Sequence, residues 1–235
     1  MHIRLFHKTN SRSQRILWLL EELNLDYELI HCDGSIPTQA VEKLANQDSS
    51  LKFPTLHLVD DHSTEVISLT ETAAIADYLS HQFNDLGIAQ LSPSEVLEYY
   101  FWKNFAEATF MPDMALKQIF AQIVERTSFP VRFITQLLKF GFDRGYLNHA
   151  LNQHLYRIDA HLKNHDYVAG EHFSIADILL WFPLLACTQS NTKFASFQHI
   201  QRYLRQIQNR PAFQRALEKG QWSAVQFQSY WSKAW

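Results

Sequence analysis

Strand-like periodicity is confined to the first 83 residues of a chain of 235. Ile3 to Phe6 reads as a strand. Ile16, Leu17, Leu20 and Leu23 recur at i, i+1, i+4 and i+7, which predicts an amphipathic helix over Ser13–Leu23. Tyr27 to His31 alternates as a second strand, and Thr38 to Ala45 is a weaker helical pattern. Pro54 to Val59 and Val66 to Leu69 read as two strands around the polar turn Asp60-Asp61-His62-Ser63, and Thr72 to Leu79 closes the unit as a helix. That order predicts a small mixed sheet with helices packed on it. Residues 84–94 carry Asp, Gly, Pro and two Ser and read as a linker. Beyond them only helical patterns occur, over roughly 95–122, 129–140, 144–164, 174–188, 198–208 and 211–219. Charge changes at the same boundary: residues 1–83 hold 6 basic and 12 acidic side chains, residues 84–235 hold 15 and 12. Two domains are expected, an acidic α/β one over 1–83 and a mildly basic all-helical one over 95–235.

Composition narrows the chemistry. A net charge of −3 leaves no surplus of cations to neutralise phosphates, so no nucleic-acid partner is expected. Two cysteines, Cys32 and Cys187, suit a reducing compartment rather than a disulfide scaffold. The polar alternation of the first residues is not a signal peptide. The longest apolar run, Ile178 to Cys187, is short of the ~20 residues that span a bilayer. A cytoplasmic protein with no membrane partner is expected. The six glycines form no Gly-x-Gly, no P-loop and no Gly-x-Ser-x-Gly elbow, and His-Glu-x-x-His and Cys-x-x-Cys are missing as well.

Three loops of the first domain carry polar groups suited to a peptide-like ligand. Ser11, in the turn before the first helix, sits where orphan N–H groups favour an anion, or else Ser11 or Ser13 is simply a helix cap. Lys52-Phe53-Pro54 opens a strand with a proline, whose missing N–H suggests a cis bond and an accessible Phe53 backbone. Glu71-Thr72 opens another helix and offers a carboxylate to an ammonium group. In the second domain Ser174 and Asp177 form a capping-box arrangement at the start of an almost wholly apolar helix. Tyr99, Tyr100, Phe101, Trp102, Phe105 and Phe110 crowd one helix, more aromatics than one buried face holds, so some are expected to line a pocket. The aromatic tail, Trp222 to Trp235, either covers that pocket or packs on the helices. His154, His161 and His165 share a helical stripe that reads as a solvated face, and no metal is expected.

The strand followed by Ser-Arg-Ser-Gln-Arg-Ile-Leu-Trp-Leu-Leu-Glu-Glu-Leu, then Lys-Phe-Pro-Thr-Leu, then Glu-Thr-Ala-Ala-Ile-Ala-Asp-Tyr-Leu, resembles a cytosolic glutathione transferase. Phe-Ser-Ile-Ala-Asp resembles the family's folding motif and Arg-Pro-Ala-Phe-Gln-Arg-Ala its late helix, so the resemblance spans essentially the whole chain. The first turn is similar to that of the serine-type microbial branch with Asn-Ser-Arg. The resemblance implies a thioredoxin-like domain followed by an all-α domain, usually assembled as a homodimer. It implies a detoxification enzyme that conjugates glutathione, as co-substrate with no other cofactor, to hydrophobic electrophiles, with peroxidase activity as a second capacity. The other reading is a non-catalytic binding protein on the same fold. Carried over, Ser11 would hold the glutathione sulfur as thiolate, with Asn10 as its competitor. Lys52 would meet the glycyl carboxylate, Phe53 and Pro54 the cysteinyl backbone, and Glu71 and Thr72 the γ-glutamyl end. Trp102, Phe105, Phe110 and Met114 would form the hydrophobic-substrate pocket. Thr72 replaces the usual Ser, Leu51 stands where Gly is common, and Phe6 excludes an activating tyrosine at the end of the first strand.

Overall fold

The computed structural model describes residues 2–32, 52–59, 66–83, 86–188 and 194–235. Packing divides the chain into two units, residues 1–90 with 208–223 and residues 91–207 with 224–235. In the first, β1 (His2–His7), α1 (Gln14–Glu22), β2 (Tyr27–His31), β3 (Thr55–Val59), β4 (Val66–Thr70) and α2 (Thr72–Phe83) follow in order. The sheet runs β2-β1-β3-β4, with β1 parallel to β2 and the other pairs antiparallel. A parallel pair needs a crossover, and α1 supplies it. Leu5 stands opposite Leu29 on one side and Leu56 on the other, while Leu58 faces Ile3, so the central strands carry an apolar row into the core. This is the expected thioredoxin-like arrangement. The helix expected over 38–45 and the turn at 60–63 lie outside the described residues.

Every residue from Gln14 to Glu21 is buried, although α1 reads as an amphipathic helix with one polar face. The cover comes from α9 (Pro211–Lys219). Trp18 meets Phe213 edge-on at 4.8 Å, and Gln14 Nε2 donates to the Ala216 carbonyl at 2.7 Å. Arg210 grips Glu22 with two bonds of 2.6 and 2.8 Å, and Arg215 and Lys219 reach Glu21 at 2.8 and 2.5 Å. Burial alone would raise the Glu21 carboxyl, but the bonds from Lys219, Tyr27 and Arg215 outweigh it and hold it below its ordinary value. The expectation that 95–235 forms one helical domain is thereby corrected, because the face of α1 that reads as solvated in sequence is the dock for residues 208–223.

The second unit contains α3 (Pro93–Asn104), α4 (Met111–Arg126), α5 (Arg132–Phe142), α6 (Asn148–Leu162), α7 (Ile175–Thr188), α8 (Gln198–Gln208) and α10 (Ala224–Ser232). Single π-helical turns, Phe105–Phe110 and Asp143–Leu147, join α3 to α4 and α5 to α6 without a break. The start of α3 is set by a capping box that the sequence reading missed. Ser92 Oγ accepts the Glu95 N–H, Glu95 returns a bond to the Ser92 N–H at 2.9 Å, and Pro93 occupies the first turn. These bonds hold the Glu95 carboxyl down at about 2.

All fourteen residues of α7 are buried, as its apolar sequence requires. Asp177 reaches back to the Ser174 N–H at 2.8 Å, which is one half of the expected capping box. The Ser174 hydroxyl donates to the same carboxylate instead of accepting from the helix. Asp177 also accepts from the Val168 N–H at 3.0 Å and the Tyr203 hydroxyl at 2.9 Å, so one carboxylate ties α7 to the preceding turn and to α8. The aromatic tail packs on the helices: Phe227 and Trp231 of α10 meet Phe182 of α7, and Gln118 of α4 donates to the Tyr230 carbonyl. No helix among the described residues is long and apolar enough to cross a membrane.

Candidate functional site

The first unit gathers the predicted site residues at the ends of β1, β3 and β4. Between β1 and α1 the chain turns through Asn10, whose φ of 55° lies in the left-handed region that asparagine tolerates. Its side-chain oxygen accepts the Ser223 N–H at 2.9 Å, so Asn10 anchors the returning segment. Ser11 Oγ accepts the Ser13 N–H at 3.2 Å and lies 2.9 Å from Ser13 Oγ. Ser13 makes no side-chain cap to α1 and turns its hydroxyl to His7 Nδ1 at 2.9 Å. His7 is buried, and its Nε2 lies 3.0 Å from the Gly220 carbonyl, which can only accept.

That last contact orients the chain of protons. Nε2 of His7 must carry a hydrogen, so in the neutral ring Nδ1 is an acceptor, and the single Ser13 proton goes to it or to the Lys8 carbonyl at 3.2 Å. Ser13 Oγ then accepts from Lys8 N–H at 3.1 Å and from the Ser11 hydroxyl. At rest the Ser11 proton points inward, toward Ser13. The cap reading and the anion reading of Ser11 therefore meet in one group: it takes an N–H at the helix start and retains one rotatable proton.

On the neighbouring loops the Phe53–Pro54 bond is cis, as expected. Phe53, like Ile30, packs against Phe6 and Cys32, and Thr55 Oγ1 donates to the Lys52 carbonyl at 2.7 Å, fixing the turn. Lys52 Nζ lies 3.7 Å from Glu71 Oε1, with both side chains mostly exposed (60% and 67%). Glu71 has a φ of 68°, a left-handed conformation that a non-glycine residue adopts only where its surroundings enforce it. Thr72 is buried at the start of α2, and the guanidinium of buried Arg15 approaches its Oγ1 at 3.5 Å, bridging α1 and α2. Arg15 and the pair Ser13–His7 are the participants that sequence reasoning missed. Arg15 reads as part of a helix face, and nothing in the spacing of His7 and Ser13 signals that a turn closes them together.

In the second unit Phe105 lines an open groove of about 810 Å³ together with Tyr100, Phe101, Asn104, Thr109, His154 and Arg157. Trp102, Phe110 and Met114, expected in the same pocket, are buried in the helical core instead. They occupy the inward face of the α3–α4 run, so the residues turned outward are Tyr100 and Phe101. The histidine stripe is likewise not a solvated face. His154 bonds Asp113 at 2.8 Å and abuts Phe105 and Phe110. His161 bonds the Val168 carbonyl at 2.9 Å against Trp102, where burial foremost lowers its pKa. Among the described residues no group of three or more His, Cys, Asp or Glu could hold a metal ion.

Family models for the glutathione S-transferase N-terminal domain and C-terminal domain match residues 5–87 and 145–211. The chain is similar to glutathione S-transferase 3 of Schizosaccharomyces pombe, 33% identical over 219 residues, covering 92% of this chain and 86% of that one. It is similar to a solved glutathione S-transferase of Actinobacillus pleuropneumoniae, with a TM-score of 0.68, 26% identity and 93% of both chains covered. A glutathione transferase family member of Pseudomonas fluorescens, solved with two glutathione bound, shares the fold at a TM-score of 0.70 and 22% identity, with 92% of both chains covered. A thioredoxin-like sheet, a helical second unit and these matches agree: the chain belongs to the glutathione S-transferase superfamily.

Proposed function

We propose that the first unit binds glutathione and that the chain conjugates it to hydrophobic electrophiles. The observation that carries this reading is the convergence of Lys52 and Glu71 to 3.7 Å beside the head of β3. A cation and an anion at that place suit the two charged ends of a zwitterionic peptide. A tripeptide in extended form separates its ends by about 10 Å, so the Lys52–Glu71 contact opens on binding. Being exposed, that pair opens at small cost. Lys52 then takes the glycyl carboxylate, Glu71 the ammonium of the γ-glutamyl end, and Thr72 adds a hydroxyl at the start of α2. Phe53 and Pro54 present the backbone to the cysteinyl unit.

Thiolate stabilisation falls to Ser11. Its hydroxyl rotates from Ser13 to the sulfur, while the Ser13 N–H keeps donating to Ser11 Oγ and polarises it. The thiol proton leaves to solvent, the sulfur attacks the electrophilic carbon, and the C–S bond forms as the leaving group departs with its electron pair. A hydrogen bond to a charged group contributes about 1.5–3 kcal/mol, less about 1 kcal/mol for the neutral Ser11–Ser13 bond given up. Ser11→Ala is therefore expected to slow turnover about tenfold and at most about thirtyfold, with glutathione affinity nearly unchanged. Calorimetry with reduced glutathione and steady-state assays against aromatic halides, hydroperoxides and isothiocyanates test the reading. Absence of binding at millimolar glutathione overturns it, and binding without turnover on any of them selects the non-catalytic reading.

The same reading includes a homodimer in which the acidic first unit of each copy meets the basic second unit of the other. Exposed Val66 and Ile67 on β4, and exposed Leu97, Tyr100 and Phe101 on α3, are apolar surfaces suited to such an isologous contact.

A further inference from the structure

Helix α5 is inside out. Its sequence is amphipathic, with Arg132, Thr135, Gln136 and Lys139 on one stripe and Phe133, Ile134, Leu137, Leu138 and Phe140 around the rest. A helix of this pattern normally turns its apolar side to the protein core. Here no residue of α5 is buried, and its two least exposed positions are the polar Thr135 and Lys139. Phe133, Leu137, Leu138 and Phe140 are each at least 60% exposed, and Phe129, at the tip before the helix, is 90% exposed. Ile119 and Ile123 on α4, the helix packed against α5, are exposed as well.

Specific contacts hold α5 in this orientation. Lys139 pairs with Asp143, which also pairs with buried Lys117 at 3.1 Å, and Phe142 packs on Phe120 at 4.7 Å. Arg132 donates to the Thr127 carbonyl at 2.8 Å, closing the α4–α5 turn. The helix is thus fixed with its apolar side outward.

Among the described residues the unpaired charge flanking this helix is positive. Residues 126–142 contain Arg126, Arg132 and Lys139 and no acidic residue. Arg126, Arg132 and Arg144 are exposed, and none of them pairs with a carboxylate among the described residues. The flanking acids are engaged, Glu125 with Lys233 and Asp143 with the two lysines. A second copy docking here face to face would bring like charges together, whereas an anionic lipid surface is complementary to both the apolar side and its cations. We propose that α5 and the Phe129 tip form a peripheral docking surface for anionic membranes, the helix lying in the interfacial plane and the chain not spanning the bilayer. It departs from the expectation of no membrane partner and is independent of the glutathione reading.

Co-sedimentation of the full chain with phosphatidylcholine vesicles, alone or mixed with phosphatidylserine, tests it. Pelleting with the mixed vesicles that weakens as salt rises is expected. Each of Arg126→Gln and Arg144→Gln should lower partitioning about fivefold. Leu137→Glu with Leu138→Glu should reduce it by about tenfold or more with circular dichroism and glutathione binding unchanged, since both side chains are exposed. No pelleting with either composition overturns the proposal, as does equal, salt-insensitive binding to both. A wild-type chain that self-associates in sedimentation velocity, loses that association in the double leucine variant and ignores vesicles shows instead that a second copy covers the face.

Discussion

Replacing Asp177 by Ala tests whether a single carboxylate organises the second unit. Its four donors are the Val168 and Ser174 N–H groups and the Ser174 and Tyr203 hydroxyls, at 2.8 to 3.1 Å, all on buried residues. The Ser174 hydroxyl can turn to another acceptor, which leaves three donors stranded. At about 2 kcal/mol each, within the usual range of about 1–3, the loss is about 6 kcal/mol. Against this, burial outweighs the hydrogen bonds and pushes the Asp177 carboxyl up from 3.8 to about 6. Removing a carboxylate that is ionised at neutral pH therefore returns about 3 kcal/mol, for a net loss of about 3 kcal/mol and a fall in Tm of about 6–12 °C. The pH dependence has a definite sign. A raised carboxyl pKa contributes stability that is fully present below 3.8 and is lost as pH rises through about 6. The alanine variant lacks that contribution, so its deficit should be larger by about 2 kcal/mol at pH about 4.5 than near neutrality. Urea unfolding followed by circular dichroism at both pH values measures it. A deficit below about 1 kcal/mol, or one that shrinks toward acid, refutes the hub and its protonation.

Ser13→Ala should separate structure from chemistry: it removes the bonds of the Ser13 hydroxyl to His7 Nδ1, the Lys8 N–H and the Lys8 carbonyl and lowers stability by about 1–3 kcal/mol, yet frees the Ser11 proton. Turnover should then match or exceed wild type, and a loss as large as that of Ser11→Ala in the same assay would rule out the inward-pointing resting state. Asp143→Ala leaves buried Lys117 with Asn148 and the Trp235 ring but no carboxylate, so a loss of about 3–5 kcal/mol is expected. Adding Lys117→Met should recover most of it in denaturant titrations, and failure to do so would show that Asp143 acts through Lys139. Sedimentation equilibrium should find a dimer that is weakened by Ile67→Glu or Phe101→Glu, and a monomer at every accessible concentration would refute the pairing of first and second units.

Local sequence was sufficient for the elements that short-range physics determines. Alternating residues in β1 and β3, the 3.6-residue spacing in α1 and the proline before β3 identify the first unit, and the long apolar run after Ser174 identifies the helix at the centre of the second. The sequence also marked Ser11, Lys52 and Glu71, polar residues at loop ends that the structure gathers at one end of the sheet. What the sequence could not disclose are the meetings of distant residues. Arg210, Arg215 and Lys219 read as an ordinary helix face until α9 is laid on α1, where Glu21 and Glu22 await them. Trp102, Phe110 and Met114 are indistinguishable from pocket residues until the core of α3, α4 and α7 closes over them. The proton order through His7, Ser13 and Ser11 depends on one carbonyl, that of Gly220, more than two hundred residues away. Periodicity reports which residues of a helix share a face. Which face is covered, and by what, is decided only when the other elements compete for the same surface, and α5, apolar side outward, is the clearest case.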